Sequence, residues 1–428
     1  MTHTMDRSSQ RIPASRLATD GAARSGRKSP RAALMDRQKY LIVGGGRAAE
    51  SAVRAIRETG ETGLILVVSE EPEPPYDRPP LSRGLWRGQA VDTIWRPLDE
   101  TVELRLGTQI VALDPIRKMV TSAAGDVFAY DKLLLATGGS PRRLNGSDPS
   151  VIYFRRLSDF RHVRDLANRS AEFAVIGGGF IGSEMAASLT MSGCKVSLVF
   201  AGPSIGNRLF PRPLANFLNV YFRKHGVDVR FCERVSSVER QGDRFVVHTG
   251  SDGAGLVVDA VVAGIGTDPN VALAKSAGLD VAGGVVVDEL LRTSAPDIFA
   301  AGDVANFPCS ALEQRIRCEH EDNAAVMGRT AGHNMTGSSE PYRHLPFFCS
   351  DLFDLGYEAV GEIDSRLEIV EDWDEKFREG LIYYLKDGYV RGVLLWNKFG
   401  LVDAARELIM SRRQIRTRDL VGQLQRVG

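Results

Sequence analysis

The sequence predicts an α/β architecture in which one strand, glycine-turn, helix unit is inserted into another, with a separate α+β module at the C-terminal end. Three observations carry this expectation. A short apolar run, Tyr40 to Val43, stops at Gly44, Gly45 and Gly46; the same pattern returns at Phe173 to Ile176 before Gly177, Gly178 and Gly179; and beyond Gly337 the sequence changes to alternating, strand-like segments.

At the first turn, Ala49, Ala52, Val53 and Ile56 recur at helical spacing, and a second apolar run, Leu64 to Val68, ends in Ser69 and Glu70. Strand, glycine turn, helix, then a carboxylate about two dozen residues on, is the pattern of a dinucleotide site. Gly44 makes the tight turn, Gly46 admits a pyrophosphate at the helix N-terminus, the small Ala49 allows close helix–strand packing, and Glu70 accepts from ribose hydroxyls. A tight turn alone also needs glycines, so the weight rests on strand, helix and acid falling into place together.

From Asp92 to Ala129 short alternating segments predict strands, and Tyr130 to Gly139 predicts a buried strand running into a turn at Thr137, Gly138 and Gly139. At the second site Gly177, Gly179 and Gly182 complete the three-glycine form, and a helix is expected through Leu189. Two such turns in one chain imply two dinucleotides and two Rossmann-like, three-layer ββα nucleotide-binding domains. The second site lacks the usual acid: the strand Lys195 to Phe200 ends without one, and Met185 to Val227 contains neither Asp nor Glu. NAD and NADP therefore both stay open. Arg208 is open to two readings, a partner for a 2′-phosphate or a solvated side chain. Val258 to Ala263 predicts a strand, and the run to Val304 predicts another with Asp303 at its end, placed either for a polyol chain or as a helix cap.

The expected divisions are an unstructured extension over 1–37, a first nucleotide-binding part over 38–150, an inserted nucleotide-binding domain over 151–270, the return of the first over 271–338, and an α+β cap over 339–428. The first 35 residues are rich in Arg, Ser and Ala, with only Asp6 and Asp20 as acids, which suits an upstream extension ahead of Met35 or, as an alternative, an organellar transit peptide. In the cap, Leu381 to Leu385 and Tyr389 to Trp396 predict a hairpin around Asp387–Gly388, and Val402, Ala405, Leu408 and Ile409 a closing helix.

Composition narrows the classes. With 428 residues, 43% hydrophobic, 25% charged and zero net charge, the chain reads as an ordinary globular protein with no bulk pull toward nucleic acid, and it holds no apolar run long enough to span a bilayer. Its five cysteines form no CxxC and no metal-ligand spacing, so a reducing, cytoplasmic setting and no metal are expected.

Longer motifs point to a family. Pro75, Tyr76, Asp77, Arg78, Pro79, Pro80, Leu81 and Ser82, then Glu319 to Ala324 with Gly328 and Arg329, Asn334 to Gly337, and Ser350, Asp351, Leu352 with Gly356 to Ala359 resemble segments of the FAD-dependent pyridine nucleotide-disulfide oxidoreductase superfamily, in its ferredoxin reductase and apoptosis-inducing-factor-like branch. The resemblance implies FAD in the first site, lined by Gly44, Gly46, Ala49, Glu70, Arg78, Thr137, Gly138 and Asp303, with Glu319 and His320 at a helix start beside the flavin. It implies NAD(P)H in the second, on Gly177, Gly179 and Gly182, with Glu184 and Arg83 as a catalytic pair and Phe180 gating the nicotinamide face. Arg83 stands where the family has a lysine, keeping the charge but not the proton. Phe347, Phe348 and Cys349 stand where it has a tryptophan, which implies a less shielded ring.

The implied activity is hydride transfer from NAD(P)H to the flavin and release of electrons to a partner such as an iron–sulfur ferredoxin or a small-molecule acceptor. A flavin-dependent oxidase or dehydrogenase of a small metabolite and an NADH-responsive signalling flavoprotein are the alternatives. Gly44 to Gly88 contains no cysteine, which argues against dithiol chemistry. In the family the cap is a candidate homodimer contact, and Arg412, Arg413, Arg416 and Arg418 offer either an attraction for an acidic partner or a solvated face.

Overall fold

The computed structural model describes residues 37–250 and 255–424. The expected extension over 1–37 lies almost wholly outside these residues.

The first strand, Gln38–Val43, lies between two parallel neighbours, Ile65–Val68 and Val127–Leu135, and Val102–Arg105 continues the sheet beyond Ile65–Val68. Ile298–Ala300 pairs in parallel with the same 127–135 strand, Ile298 standing opposite Leu133, so the chain returns to its first sheet after the insertion. Strands buried on both faces read as continuous apolar runs, which is why both ends of this sheet were legible.

A second parallel sheet holds Phe173–Ile176 between Val196–Phe200 and Ala260–Ala263, with Asp228–Phe231 and the short Ile152–Tyr153 outside them. A two-stranded link, Gly139–Pro141 against Thr267–Pro269, ties the two crossings of the chain together. The C-terminal module is a five-stranded antiparallel sheet covered by the Val402–Met410 helix. Its central hairpin turns at Asp387 and Gly388, whose φ values of 54° and 78° are the positive pair such a turn needs.

Helix Arg47–Glu58 packs against helix Glu321–Met335 at very short range. A Cβ on Gly328 would stand 2.2 Å from the Ala48 carbonyl oxygen and one on Gly332 2.5 Å from that of Ala52. This contact brings the start of the late helix beside the first glycine turn. The closing strand expected up to Val304 covers only Ile298–Ala300, and a strand, Ala305–Cys309, follows it. Asp303 therefore caps no helix.

Candidate active site

The two glycine turns repeat each other in conformation. Gly44 and Gly177 have φ of 120° and 116°, values open to glycine and strained for other residues. A Cβ on Gly44 would stand 2.1 Å from the Ala136 oxygen, and one on Gly177 2.3 Å from the Gly264 oxygen, so each turn presses on the next strand of its sheet. Gly46 and Gly179 are the residues before helices Arg47–Glu58 and Phe180–Met191, at φ −92° in both cases, and a Cβ on either would meet nothing within 4 Å. Protein packing does not require glycine there. What the small residue leaves is open space in front of a helix N-terminus, the place an anion takes.

Both turns open onto one cavity of about 1500 Å³, larger than the roughly 300–1,000 Å³ that holds one drug-sized ligand. Gly44, Gly46, Glu70, Arg78, Thr137, Gly138, Gly179, Asp303, Glu319 and His320 line it, with Arg83, Phe180 and Glu184. Ala49 and Gly182 stand behind this wall: Ala49 is fully buried, and a Cβ on Gly182 would stand 1.7 Å from the Gly177 oxygen, so the smallness of these two serves helix–strand packing at the turns, while Gly177 is half-buried at the turn itself. Three helix N-termini, at Gly46, Gly179 and His320, converge on this space and give it a positive potential suited to phosphates and to charge on a ring. The wall therefore fits two dinucleotides.

Glu184, in the cavity wall, is buried. Its carboxylate accepts from the Ser82 hydroxyl at 2.5 Å and the Ser350 hydroxyl at 2.6 Å, and stands 3.8 Å from Arg83 Nε. Burial pushes the Glu184 carboxyl up, opposed by Arg83 and the two hydroxyls. Burial pulls Arg83 down, but Glu184 and Cys349 outweigh it, so the guanidinium stays charged. Arg83 Nη1 also donates to the Cys349 sulfur at 3.1 Å, which anchors it to the edge of the cap sheet.

His320 is the residue before helix Glu321–Met335. Its ring stacks on Phe348 at 4.5 Å, and Phe180 meets both edge-on. Phe348 thus shields His320, while Cys349 is exposed at the mouth. Burial lowers His320 to about 4, keeping it neutral near pH 7. At the next residue, burial and a hydrogen bond with Asp77 push Glu321 up to about 7. The two act with opposite sign on stability. The folded state keeps the Glu321 proton that an unfolded chain releases above pH 4.5, so this contribution is lost as pH rises from 4.5 to about 7. It keeps His320 neutral where an unfolded chain protonates it, so that contribution is lost as pH falls from 6.5 to about 4. Glu321→Gln should unmask the His320 slope, with stability of the nucleotide-free protein rising by about 1–3 kcal/mol between pH 4.5 and 7, and His320→Gln should reverse it. Urea unfolding at pH 4.5, 5.5 and 7 checks this; equal slopes in both variants would contradict it.

Several partners could not be read from sequence. Glu70 is joined to Arg156 and Asp303 to Arg155, the latter at 2.7 Å, across 86 and 148 residues. Arg78, expected simply as a loop contact, is held by Glu71 at 2.5 Å and donates to the Arg155 carbonyl at 3.0 Å. Arg47, directly after the glycines, reaches Glu50 at 2.8 Å and Glu321 at 3.7 Å. The Asn270 amide donates to the Thr137 carbonyl at 2.8 Å and fixes the turn at Gly138. Glu319 pairs with Arg317 at 2.5 Å. In the C-terminal run Arg412 pairs with Glu313, and Arg416 and Arg418 share Asp419, so three of its four arginines have an acidic neighbour.

Comparison with known proteins agrees with this geometry. Residues 38–328 match the family described as Pyridine nucleotide-disulphide oxidoreductase, and residues 331–375 and 370–411 match the C-terminal region of the mitochondrion-associated apoptosis-inducing factor. The chain is 33% identical over 422 residues to apoptosis-inducing factor 1 of Dictyostelium discoideum, covering 88% of this chain and 79% of that protein. It is 36% identical over 361 residues to the 5,5′-dehydrodivanillate O-demethylase ferredoxin reductase subunit of a Sphingobium strain, covering 82% and 88%. The crystal structure of the covalent putidaredoxin reductase–putidaredoxin complex superposes with a TM-score of 0.85 at 28% identity, over 91% of this chain and 98% of that one.

Proposed function

The chain belongs to the pyridine nucleotide-disulphide oxidoreductase family, and from that premise we propose that it is an FAD-dependent NAD(P)H oxidoreductase passing electrons to a redox partner such as a ferredoxin. The observation that carries the reading is the pair of matched glycine turns opening on one cavity with a buried Glu184–Arg83 pair between them. Relatives point the same way: the Sphingobium protein is a ferredoxin reductase subunit, and the superposed structure holds putidaredoxin reductase joined to putidaredoxin. Bound together, a flavin and a reduced nicotinamide dinucleotide supply hydride chemistry, with electrons leaving afterwards to a carrier.

The chain's own residues position and select. The helix N-terminal amides that follow Gly46 and Gly179 would hold the two pyrophosphates. Glu70 would accept from the adenosine ribose of FAD, and Asp303, steadied by Arg155, from its polyol. Glu184, with both oxygens already held by serine hydroxyls, orients the nicotinamide amide rather than moving a proton, and Arg83 holds charge there without donating one. Neutral His320 begins a helix whose N-terminal amides would favour negative charge on a bound ring.

The test is NAD(P)H-dependent reduction of cytochrome c with and without a [2Fe–2S] ferredoxin. The expected result is a rate that depends on the ferredoxin and saturates with it. Rapid turnover with oxygen or a small organic acceptor, unchanged by ferredoxin, would place the protein with the oxidases instead.

A further inference from the structure

We propose that the nicotinamide dinucleotide this chain selects is the 2′-phosphorylated form, and that Asn207 and Arg208 receive the phosphate. This rests on the function proposed above and narrows its substrate.

The first turn has an acid beyond its second strand; the second has none. After Val196–Phe200 the chain enters a loop that returns to the glycine turn, where the Gly206 amide donates to the Gly178 carbonyl at 2.9 Å. Gly202 holds the position at the strand's carboxyl end where an NAD site carries its carboxylate. A Cβ there would stand 2.6 Å from Asn207 Oδ1, so a neutral amide with an N–H₂ donor covers the spot. Arg208 is next, exposed and without an acidic partner among the described residues.

The loop is braced from the cap. Ser365 donates its amide to the Arg208 carbonyl at 3.0 Å and its hydroxyl to the Asn207 carbonyl at 2.8 Å, and the Tyr384 hydroxyl donates to the Leu209 carbonyl at 2.8 Å. A fixed backbone with a free guanidinium is preorganised for a dianion. Glu233, which donates its amide to the Phe200 carbonyl, stands on the neighbouring strand's end and has one carboxylate oxygen engaged by the Thr249 hydroxyl at 3.0 Å. At Gly202 itself a ribose 2′-hydroxyl would meet no carboxylate, whereas a 2′-phosphate would meet the Asn207 amide and the Arg208 cation.

Two measurements test this on the flavin-loaded protein. In anaerobic stopped-flow reduction, NADPH should half-saturate at a concentration about tenfold or more below NADH, since a charge-assisted phosphate contact is worth that much. Arg208→Ala should erase most of that ratio, and Gly202→Glu, which needs only the Asn207 tip to swing aside, should invert it. Calorimetry with 2′,5′-ADP against 5′-AMP reads the same preference without hydride transfer. A wild-type preference for NADH and 5′-AMP, or an Arg208→Ala loss equal for both nucleotides, would overturn the assignment. Tight 2′,5′-ADP binding without flavin reduction by either nucleotide would keep this assignment and remove the proposed function.

Discussion

Gly46→Val is expected to give a folded, colourless protein. At φ −92° and ψ −167° the backbone of Gly46 is extended, a conformation any residue adopts, and a Cβ there meets nothing within 4 Å. The branched side chain instead enters the space in front of the 47–58 helix, where the flavin pyrophosphate would lie. Circular dichroism and the urea midpoint should match wild type, while flavin affinity falls by at least about 30-fold, the equivalent of roughly 2 kcal/mol of overpacking. Gly44→Val is the control that should fail to fold correctly, because it combines a φ of 120° with a Cβ 2.1 Å from the Ala136 oxygen. A yellow Gly46→Val protein with wild-type affinity would mean that the first turn holds no pyrophosphate.

Glu184→Ala is the second large effect. The substitution leaves the Ser82 and Ser350 hydroxyls without their acceptor and the mostly buried Arg83 guanidinium without its nearest acid. Breaking a buried pair by removing one partner costs about 3–5 kcal/mol, so a clear loss in urea midpoint is expected. Flavin reduction by NAD(P)H should slow by about 100-fold if the carboxylate orients the nicotinamide, since misplacement of that order has that effect. Glu184→Gln keeps the size and an acceptor; it should recover most of the stability but not the rate. A Glu184→Gln protein with wild-type reduction kinetics would reduce Glu184 to a structural role.

What could be read in advance was local. Both glycine turns, the strands before them and the helices after them are written within about 20 residues each, and apolar runs fix such units without help from distant residues. The 387–388 hairpin turn was legible for the same reason. What could not be read was which charges meet. Glu70 finds Arg156, Asp303 finds Arg155, and Asp322 finds both His344 at 2.5 Å and Arg406 at 3.1 Å only because three stretches of chain converge.

Roles within a motif were also blurred. Gly44, Gly46, Ala49 and Gly177, Gly179, Gly182 look alike as letters, yet Gly46 and Gly179 face open space while Gly182 faces its own turn's backbone. The aromatic cluster of Phe180, His320 and Phe348 joins residues from three separate elements, so the family resemblance implied a replaced tryptophan but nothing local implied that Phe348 would stack on His320.

The paired turns require two nucleotides in one cavity, close enough for direct hydride transfer, each on its own glycine turn. Anaerobic titration of the flavin-loaded wild type with NADPH and NADH, beside Gly179→Val, tests it most directly. The wild type should bleach with about one equivalent of reductant, while Gly179→Val should stay yellow and still bleach with dithionite. A Gly179→Val protein that bleaches like wild type would show that the second turn does not hold the reductant.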